Sequence, residues 1–227
     1  YWAGARVQFV VDSDALMERY LGGEEIPAAE IATVFVKALR SGTLIPIVFT
    51  EARQEIGVRE LLDLITKYTP SPADATPAKL ADGANVTEIK ADPAGPLMGV
   101  VFRVAFDPRS NMKYSSIRIF GGTLKSDTNM MHNDEKKGLR PGHILKPQGG
   151  ETKEIDAGVA GDIVVLAKLE ELRIGDLIHD GRVCGKFEMP PFPEPMFSLA
   201  MEPASRGDEQ KIGGALDRLR EEDPCFK

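Results

Sequence analysis

A cluster of basic side chains in the middle of the sequence has the chemistry to contact phosphate groups. Lysine and arginine neutralise phosphates by charge, and clustering on one loop favours such contact. A run of charge is also typical of a solvated protein surface, so both interpretations stay open. The cluster comprises Lys136, Lys137, Arg140, His143, Lys146 and Lys153.

The histidines and two Gly-Asp pairs do not predict a metal site or a catalytic site. His132, His143 and His179 have no second imidazole or cysteine at ligand spacing, which favours surface or hydrogen-bonded roles. Asp162 and Asp176 each follow a glycine just before a short apolar run. Because an aspartate in a tight turn accepts hydrogen bonds from nearby amides, we predict turn roles rather than an acid–base pair.

The sequence lacks the motifs that bind and hydrolyse a nucleoside triphosphate. It has no Gly-x-x-x-x-Gly-Lys-Ser/Thr phosphate loop, whose backbone amides and lysine hold the phosphates. It also has no Asn-Lys-x-Asp stretch of the kind that binds a guanine base. We therefore predict no catalytic residue, no cofactor and no hydrolysis for this chain alone.

Length and composition are those of a globular protein. With 227 residues the chain can bury one large core or two small ones, and its net charge of -7 argues against binding nucleic acid by bulk charge alone. Cys184 and Cys225 are too few for a disulfide framework, and we expect buried or incidental thiols. No signal peptide or membrane-spanning apolar run is recognisable. A soluble, cytoplasmic, monomeric protein without a membrane partner is expected.

The N-terminal part of the sequence has the pattern of an α/β unit. Helices are predicted over 14–21, from Pro27 to Gly42 and over about 58–68, with a β-branched strand over 44–50. Strand, loop and helix make only half of an α/β domain, so residues 1–68 are expected to end a larger one. The proline-rich stretch that follows predicts a linker over 69–86. The buried stripe predicted for the first helix is Leu16, Met17, Tyr20 and Leu21.

Short alternating strands predict a β-barrel over residues 87–189. In the second of these strands, alternation places Ser115, Ile117 and Ile119 on one face. A closed barrel hides the edges of its strands, which favours it over an open sheet. The strands are predicted over 97–106, 113–120, 128–132 and 162–167.

The C-terminal part predicts the beginning of a further domain over 190–227. A strand is predicted over 196–203 and a helix over about 208–222. One strand and one helix cannot bury their apolar faces alone, so the domain is expected to be incomplete. Since Tyr1 is not a natural start, we expect the chain to be a piece of a longer protein.

Motifs along nearly the whole chain resemble the translational GTPases related to elongation factor G. Residues similar to the end of that family's G domain are Gly42-Thr43, Pro46, Ala52, Gly57-Val58 and Leu61-Leu62-Asp63. Residues similar to its second domain include Phe102-Arg103, Asp107-Pro108, Ile117-Arg118-Ile119, Gly121-Gly122-Thr123-Leu124 and Gly161-Asp162-Ile163. Leu219-Arg220-Glu221-Glu222-Asp223-Pro224, followed by Phe226, resembles the opening of its third domain.

The resemblance implies a mainly β fold with an α/β flank. The parts would be the end of a G domain, a translation-factor β-barrel and the first βα unit of a ferredoxin-like domain. The implied function is a ribosome-binding factor that advances transfer and messenger RNA, with GTP and magnesium bound by the full-length protein. In the family the barrel rests on small-subunit ribosomal RNA, so Lys136, Lys137 and Arg140 are the candidates for RNA contact.

The implied guanine-contacting motif is Thr50, Glu51 and Ala52, and it departs from the family pattern. Glu51 stands where the family has serine, and Leu177 stands where it usually has threonine. A carboxylate at that place adds a buried negative charge near the base, which is costly unless paired. The alternative is therefore a divergent paralogue that does not translocate, or the ribosome-binding module of a release or ribosomal-protection GTPase.

Overall fold

The computed structural model describes residues 14–135, 137–183, 185–203, 205 and 207–227. The chain divides into two compact units, Tyr1–Thr76 and Pro77–Lys227. No helix among the described residues is long and apolar enough to cross a membrane.

Helices make up the regular structure described in the first unit. They are α1, Asp14–Leu21; α2, Ala28–Ser41; and α3, Val58–Tyr68, which confirms the predicted positions to within a residue. α2 ends at Gly42, whose φ of 75° lets its N–H bond the Leu39 carbonyl without the steric penalty of a Cβ. The rings of Phe35 and Tyr68 meet edge to face at 4.9 Å and join α2 to α3.

Two predictions for the first unit are wrong. Tyr20 and Leu21 are 42% and 76% exposed, so they do not belong to a buried stripe of α1. Residues 44–50 form no strand, and their side chains at Ile45, Ile47 and Phe49 are exposed. Both differences have one cause: the described residues supply no neighbouring strand to complete a ladder and no second layer to cover these side chains.

The second unit is built mainly from antiparallel strands, which confirms the mainly β class. The strands are β1 Ala78–Asp82, β2 Asn85–Ile89, β3 Met98–Phe106, β4 Lys113–Gly121, β5 Thr123–Lys125, β6 Met131–His132, β7 Ile144–Gln148, β8 Glu151–Ile155, β9 Ala157–Val159, β10 Ile163–Ala167, β11 Leu177–His179 and β12 Lys186–Phe187, and the helix is α4 Glu209–Glu222. The seven-stranded sheet has the order β6-β11-β3-β4-β10-β7-β8, and the smaller sheets are β12-β1-β2 and β5-β9.

One face of the seven-stranded sheet lines the main hydrophobic core. β6 and β8 are the two ends of the described ladder, and the β5–β9 pair supplies further cover. A Cβ at Gly158 of β9 would lie 2.6 Å from Val164 Cγ1 and 2.8 Å from Ile119 Cδ1, so this pair packs directly on core side chains. The core comprises Leu97, Val101, Val104, Ile117, Ile119, Leu124, Met130, Leu139, Ile144, Val164, Leu166, Leu169, Leu172 and Ile178.

The small sheet β12-β1-β2 covers a second core on the outer side of β3 and β11. Leu80, Val100 and Leu177 are buried there, and the rings of Phe120 and Phe187 lie 5.4 Å apart. β1 and the start of β2 fall within residues 69–86, where a linker is predicted, and the second unit begins at Pro77. The strand is hard to recognise because its sequence, AKLAD, is poor in β-branched and aromatic residues.

Most of the predicted central strands are present, with local differences. The strands predicted over 97–106, 113–120 and 162–167 are confirmed as β3, β4 and β10. The strand over 128–132 shrinks to β6, because Met130 instead forms an isolated bridge with Leu139. The connection before β10 contains the β7–β8 hairpin, and residues 196–203 form no strand: Met196 and Phe197 there are 98% and 81% exposed.

Candidate functional site

The loop predicted to contact a guanine base is a short, solvent-exposed turn. Thr50, Glu51 and Ala52 are all exposed. The loop is closed by two backbone hydrogen bonds, from Glu51 N to Ile56 O at 2.9 Å and from Ile56 N to Glu51 O at 3.1 Å. The Glu51 carboxylate is exposed among the described residues, and its burial beside a bound base stays a prediction.

Gly57 links this loop to α3 and fixes its path. Its φ is 71°, and a Cβ there would lie 2.2 Å from the Phe49 carbonyl oxygen. Only glycine fits such a close approach in the left-handed region. The loop therefore returns tightly onto the end of the preceding extended segment, with its exposed polar groups accessible to a ligand.

Of the three predicted RNA-contact cations, the structure describes Lys137 and Arg140. Lys136 lies outside the described residues. Lys137 Nζ lies 3.6 Å from Glu171 Oε1, so its charge is partly neutralised. Arg140 is exposed and follows the buried Leu139, whose two backbone hydrogen bonds to Met130 anchor this part of the loop.

The remaining predicted basic residues lie on or beside the β7–β8 hairpin. Lys146 and Lys153 are directly opposite each other across the two strands. Lys146 Nζ lies 3.5 Å from Asp162 Oδ1, and His143 contacts Glu154. Lys137, His143 and Lys146 of the predicted basic stretch therefore contact carboxylates. Arg140 and Lys153 are exposed and form no ion pair among the described residues.

A buried lysine that the sequence analysis missed joins the sheet to α4. The side chain of Lys113, at the start of β4, is 0% exposed. Its Nζ donates to Glu221 Oε2 at 2.6 Å and to the Glu170 carbonyl at 2.9 Å. Arg173 forms a second ion pair with Glu221. The alternation of β4 was the available signal, since it places Lys113 on the same face as Ser115 and Ile117.

The neighbouring residues of α4 add further contacts to the same region. Glu222 Oε1 accepts the Phe106 N–H at 2.6 Å, and the Arg218 guanidinium lies 5.7 Å from the centre of the Phe106 ring. Beside these contacts is a cavity of about 520 Å³. Its lining residues are Arg173, Ile174, Asp217, Arg220, Glu221 and Pro224.

The carboxyl group of Glu221 is held in its ionised form. Partial burial raises its pKa, but hydrogen bonds from Lys113 and Arg173 lower it by more, so the pKa lies below the ordinary carboxyl value. Removing Glu221 would leave the buried Lys113 ammonium without a carboxylate partner. We call Lys113, Arg173, Glu221 and Glu222 the α4 anchor.

The predicted turn aspartates bind backbone amides. Asp162 accepts the Val159 N–H at 3.0 Å, and Asp176 accepts the Arg173 N–H at 2.8 Å, which confirms their turn roles. His179 is buried and hydrogen-bonded: its Nδ1 accepts the Gly181 N–H at 3.0 Å, so its Nε2–H donates to a carbonyl, that of Asn133, at 2.7 Å. No group of three or more potential metal-ligating side chains occurs within the described ranges.

Comparison with known proteins gives a consistent result along the chain. The family model "Elongation factor G domain 2" matches residues 96–181, and "Elongation Factor G, domain III" matches residues 192–227. An elongation factor G of Ureaplasma urealyticum serovar 10 is 34% identical over 215 residues, which are 94% of this chain and 31% of the relative. One of Ureaplasma parvum serovar 3 is 34% identical over 218 residues, with 96% and 32% covered.

A solved structure is similar over the same extent. A crystal structure of a protein from Thermus thermophilus matches with a TM-score of 0.78 and 29% identity, covering 97% of this chain and 31% of that one. The chain thus spans about a third of the length of the curated relatives that it matches. The model for domain 2 covers the strands from β3 to β11, and the model for domain III covers the segment that contains α4. The chain therefore belongs to the elongation factor G family.

Proposed function

We propose that this chain is part of a translation elongation factor whose full-length form binds the ribosome and promotes GTP-dependent translocation. The observation that carries the proposal is the 34% identity to an elongation factor G over 94% of the chain. A factor of this kind acts in the cytoplasm as a monomer. The β-rich second unit is the part proposed to contact small-subunit ribosomal RNA.

GTP and magnesium are assigned to the full-length protein. The chain has no phosphate loop, so its own contribution would be to the base, through the loop that contains Thr50, Glu51 and Ala52. These residues fit that role in one respect, since the turn is exposed and closed by its own backbone hydrogen bonds. Bound GTP would supply the reactive phosphates, and this loop would help orient the base.

Lys137 and Arg140 are the proposed RNA contacts that the structure describes, and Lys136 is the proposed contact outside the described residues. Both described side chains are exposed beside the bridged Leu139. On a chain with a net charge of -7, RNA binding needs local positive charge of this kind.

Co-sedimentation with small ribosomal subunits tests the proposal. We expect the chain to sediment with the subunits, and the double variant Lys137→Glu, Arg140→Glu to bind more weakly with a flatter salt dependence. The double variant Arg59→Glu, Lys67→Glu, at exposed positions of α3, is the control with the same change in net charge. A chain that stays in the supernatant at low salt would contradict the ribosome-binding function.

A second candidate is a ribosome-binding paralogue that does not translocate, and Glu51 is the observation that favours it. A serine hydroxyl both donates and accepts hydrogen bonds, whereas an ionised carboxylate only accepts them. GTP binding by a longer protein that includes the upstream residues separates the candidates. Micromolar or tighter GTP binding supports the translocase, and its absence supports the paralogue.

A further inference from the structure

A β-bulge in β3 turns two neighbouring side chains toward the outer face of the sheet. Val101 is opposite Ile117 and Arg103 is opposite Ser116, so Phe102 is the extra residue of the bulge. Val101 and Val104 are buried in the core, whereas Phe102 is 41% exposed and Arg103 is also exposed. An ordinary strand would direct one of these two residues inward, so the bulge places an aromatic ring and a guanidinium side by side on the surface.

Arg118 and Ile163 extend this surface across β4 and β10. Arg103 of β3 is opposite Ser116 of β4, and Arg118 lies two residues further along the same face of β4, so the two arginines are diagonal neighbours. On the other side of β4, Arg118 is directly opposite Ile163 of β10. Ile163 is 42% exposed. We call Phe102, Arg103, Arg118 and Ile163 the outer patch.

The two guanidinium groups of the outer patch are not neutralised by described residues. Neither Arg103 nor Arg118 forms an ion pair or a side-chain hydrogen bond in the described part of the chain. Asp107, four residues after Arg103, accepts the Arg109 and Ser110 N–H groups. Asp162, next to Ile163, is bound to the Val159 N–H and to Lys146. The outer patch therefore combines an exposed ring with the exposed Arg103 and the half-buried Arg118, both without an ion pair among the described residues.

We propose that the outer patch binds a single-stranded segment of RNA. Phe102 provides a face on which an unstacked base can stack, and Arg103 and Arg118 provide charge for the flanking phosphates. An acidic protein would satisfy the arginines but would leave the ring without a planar partner. The inference rests on the proposed ribosome-binding function, and it assigns the contact to a surface separate in sequence from Lys137 and Arg140.

Binding of a fluorescein-labelled single-stranded oligoadenylate to the chain, measured by anisotropy, tests the outer patch. We expect Phe102→Leu to weaken binding at least about fivefold, because a stacked base is lost. We expect Arg103→Gln and Arg118→Gln each to flatten the slope of log affinity against log salt by about 0.7. A base-paired RNA of the same length should bind more weakly than the single strand.

Matched controls separate a local contact from a general loss of charge or fold. Phe192→Leu removes a ring that is 43% exposed, and Arg59→Gln removes an exposed guanidinium from α3. Both should stay within about twofold of the unsubstituted chain, and unchanged thermal unfolding shows that each variant is folded. Equal effects of the outer-patch variants and the controls would overturn the proposal.

Co-sedimentation of the same variants with small ribosomal subunits distinguishes failure of this inference from failure of the proposed function. If the subunits bind normally and the outer-patch variants change neither assay, the inference is wrong and the proposed function stands. If the unsubstituted chain does not bind subunits, the proposed function fails, and the oligonucleotide data still decide the inference. If subunit binding needs the outer patch but RNA alone does not bind it, the partner is a protein and the inference is overturned.

Discussion

Gly122, in the turn between β4 and β5, is a residue at which the backbone leaves no room for a side chain. Its φ is 72°, and a Cβ there would lie 2.5 Å from Leu97 Cα and 2.6 Å from Leu97 N. Its N–H donates to the Asp92 carbonyl at 2.9 Å, and its own carbonyl accepts the Ala160 N–H at 3.0 Å. The turn therefore holds three segments together through one glycine.

We expect Gly122→Ala to destabilise the second unit more than Gly149→Ala does. Gly149 also has a positive φ, of 60°, but a Cβ there would meet nothing within 4 Å. The left-handed strain, about 1–2 kcal/mol, is common to both variants, and only Gly122→Ala adds a collision with backbone. Urea unfolding followed by circular dichroism measures the difference. Equal losses would show that the collision relaxes without cost.

Lys113 and Glu221 are the second residue-scale test. Glu221→Gln should lower the free energy of unfolding by about 2–3 kcal/mol, because it leaves a buried ammonium without its carboxylate. This loss is at or below the low end of the range measured when one partner of a buried ion pair is removed, because the Glu221 side chain is 23% exposed. The adjacent Glu222→Gln is the matched control: its amide oxygen can still accept the Phe106 N–H, so a loss of less than about 1.5 kcal/mol is expected. Similar losses from both would contradict the role given to the buried pair.

At the scale of elements, α4 is held to the sheet mostly by polar contacts. The α4 anchor supplies ion pairs and a backbone hydrogen bond, whereas Leu219 on the helix is 46% exposed. Polar contacts of this kind depend on protonation, so the attachment of α4 should depend on pH.

The folded-state pKa of Glu221 is below its ordinary value of 4.5, so it contributes stability above that pH and loses it as the pH falls through the lower folded value. We expect the difference in unfolding free energy between the unsubstituted chain and Glu221→Gln to be constant from pH 7 to about 5 and to shrink below about 4.5. Urea titrations at a series of pH values measure it. A difference that does not change with acid would refute this linkage.

The β7–β8 hairpin contains a repulsive pair in Lys146 and Lys153, which are directly opposite each other. We expect Lys153→Glu to raise stability by a few tenths to about 1 kcal/mol, since it replaces repulsion with attraction. Added salt should reduce the gain, because Lys146 is 58% exposed. Lys125→Glu on β5, where the opposite residue is Ala157, should give no such gain. Thermal unfolding at low and high salt makes the comparison.

At the scale of the whole molecule, the two units bury their apolar residues to different extents. In the described part of the first unit, Ala38 is the buried hydrophobic residue, while the second unit has two buried clusters. We therefore expect urea to unfold the first unit at lower concentration, because less apolar surface is removed from water there. Gly122→Ala should shift only the later transition. A single transition, shifted as a whole by this variant, would contradict the prediction.

Local patterns in the sequence determined the helices, the main strands and the inward face of β4. Alternation and helical periodicity depend only on neighbours along the chain, so they can be recognised before any partner is known. The loop proposed to contact guanine, the basic stretch and the resemblance to elongation factor G were also recognisable from residue types in order.

Tertiary structure alone decided which of these residues act together. The sequence places Lys113 on the core face, but a lysine is stable there only because Glu221, 108 residues later, reaches it. The bulge that exposes Phe102 depends on its pairing with β4, and the strands expected at 44–50 and 196–203 are absent because a ladder needs a second strand. Partners distant in sequence are chosen by the fold, and no local pattern encodes them.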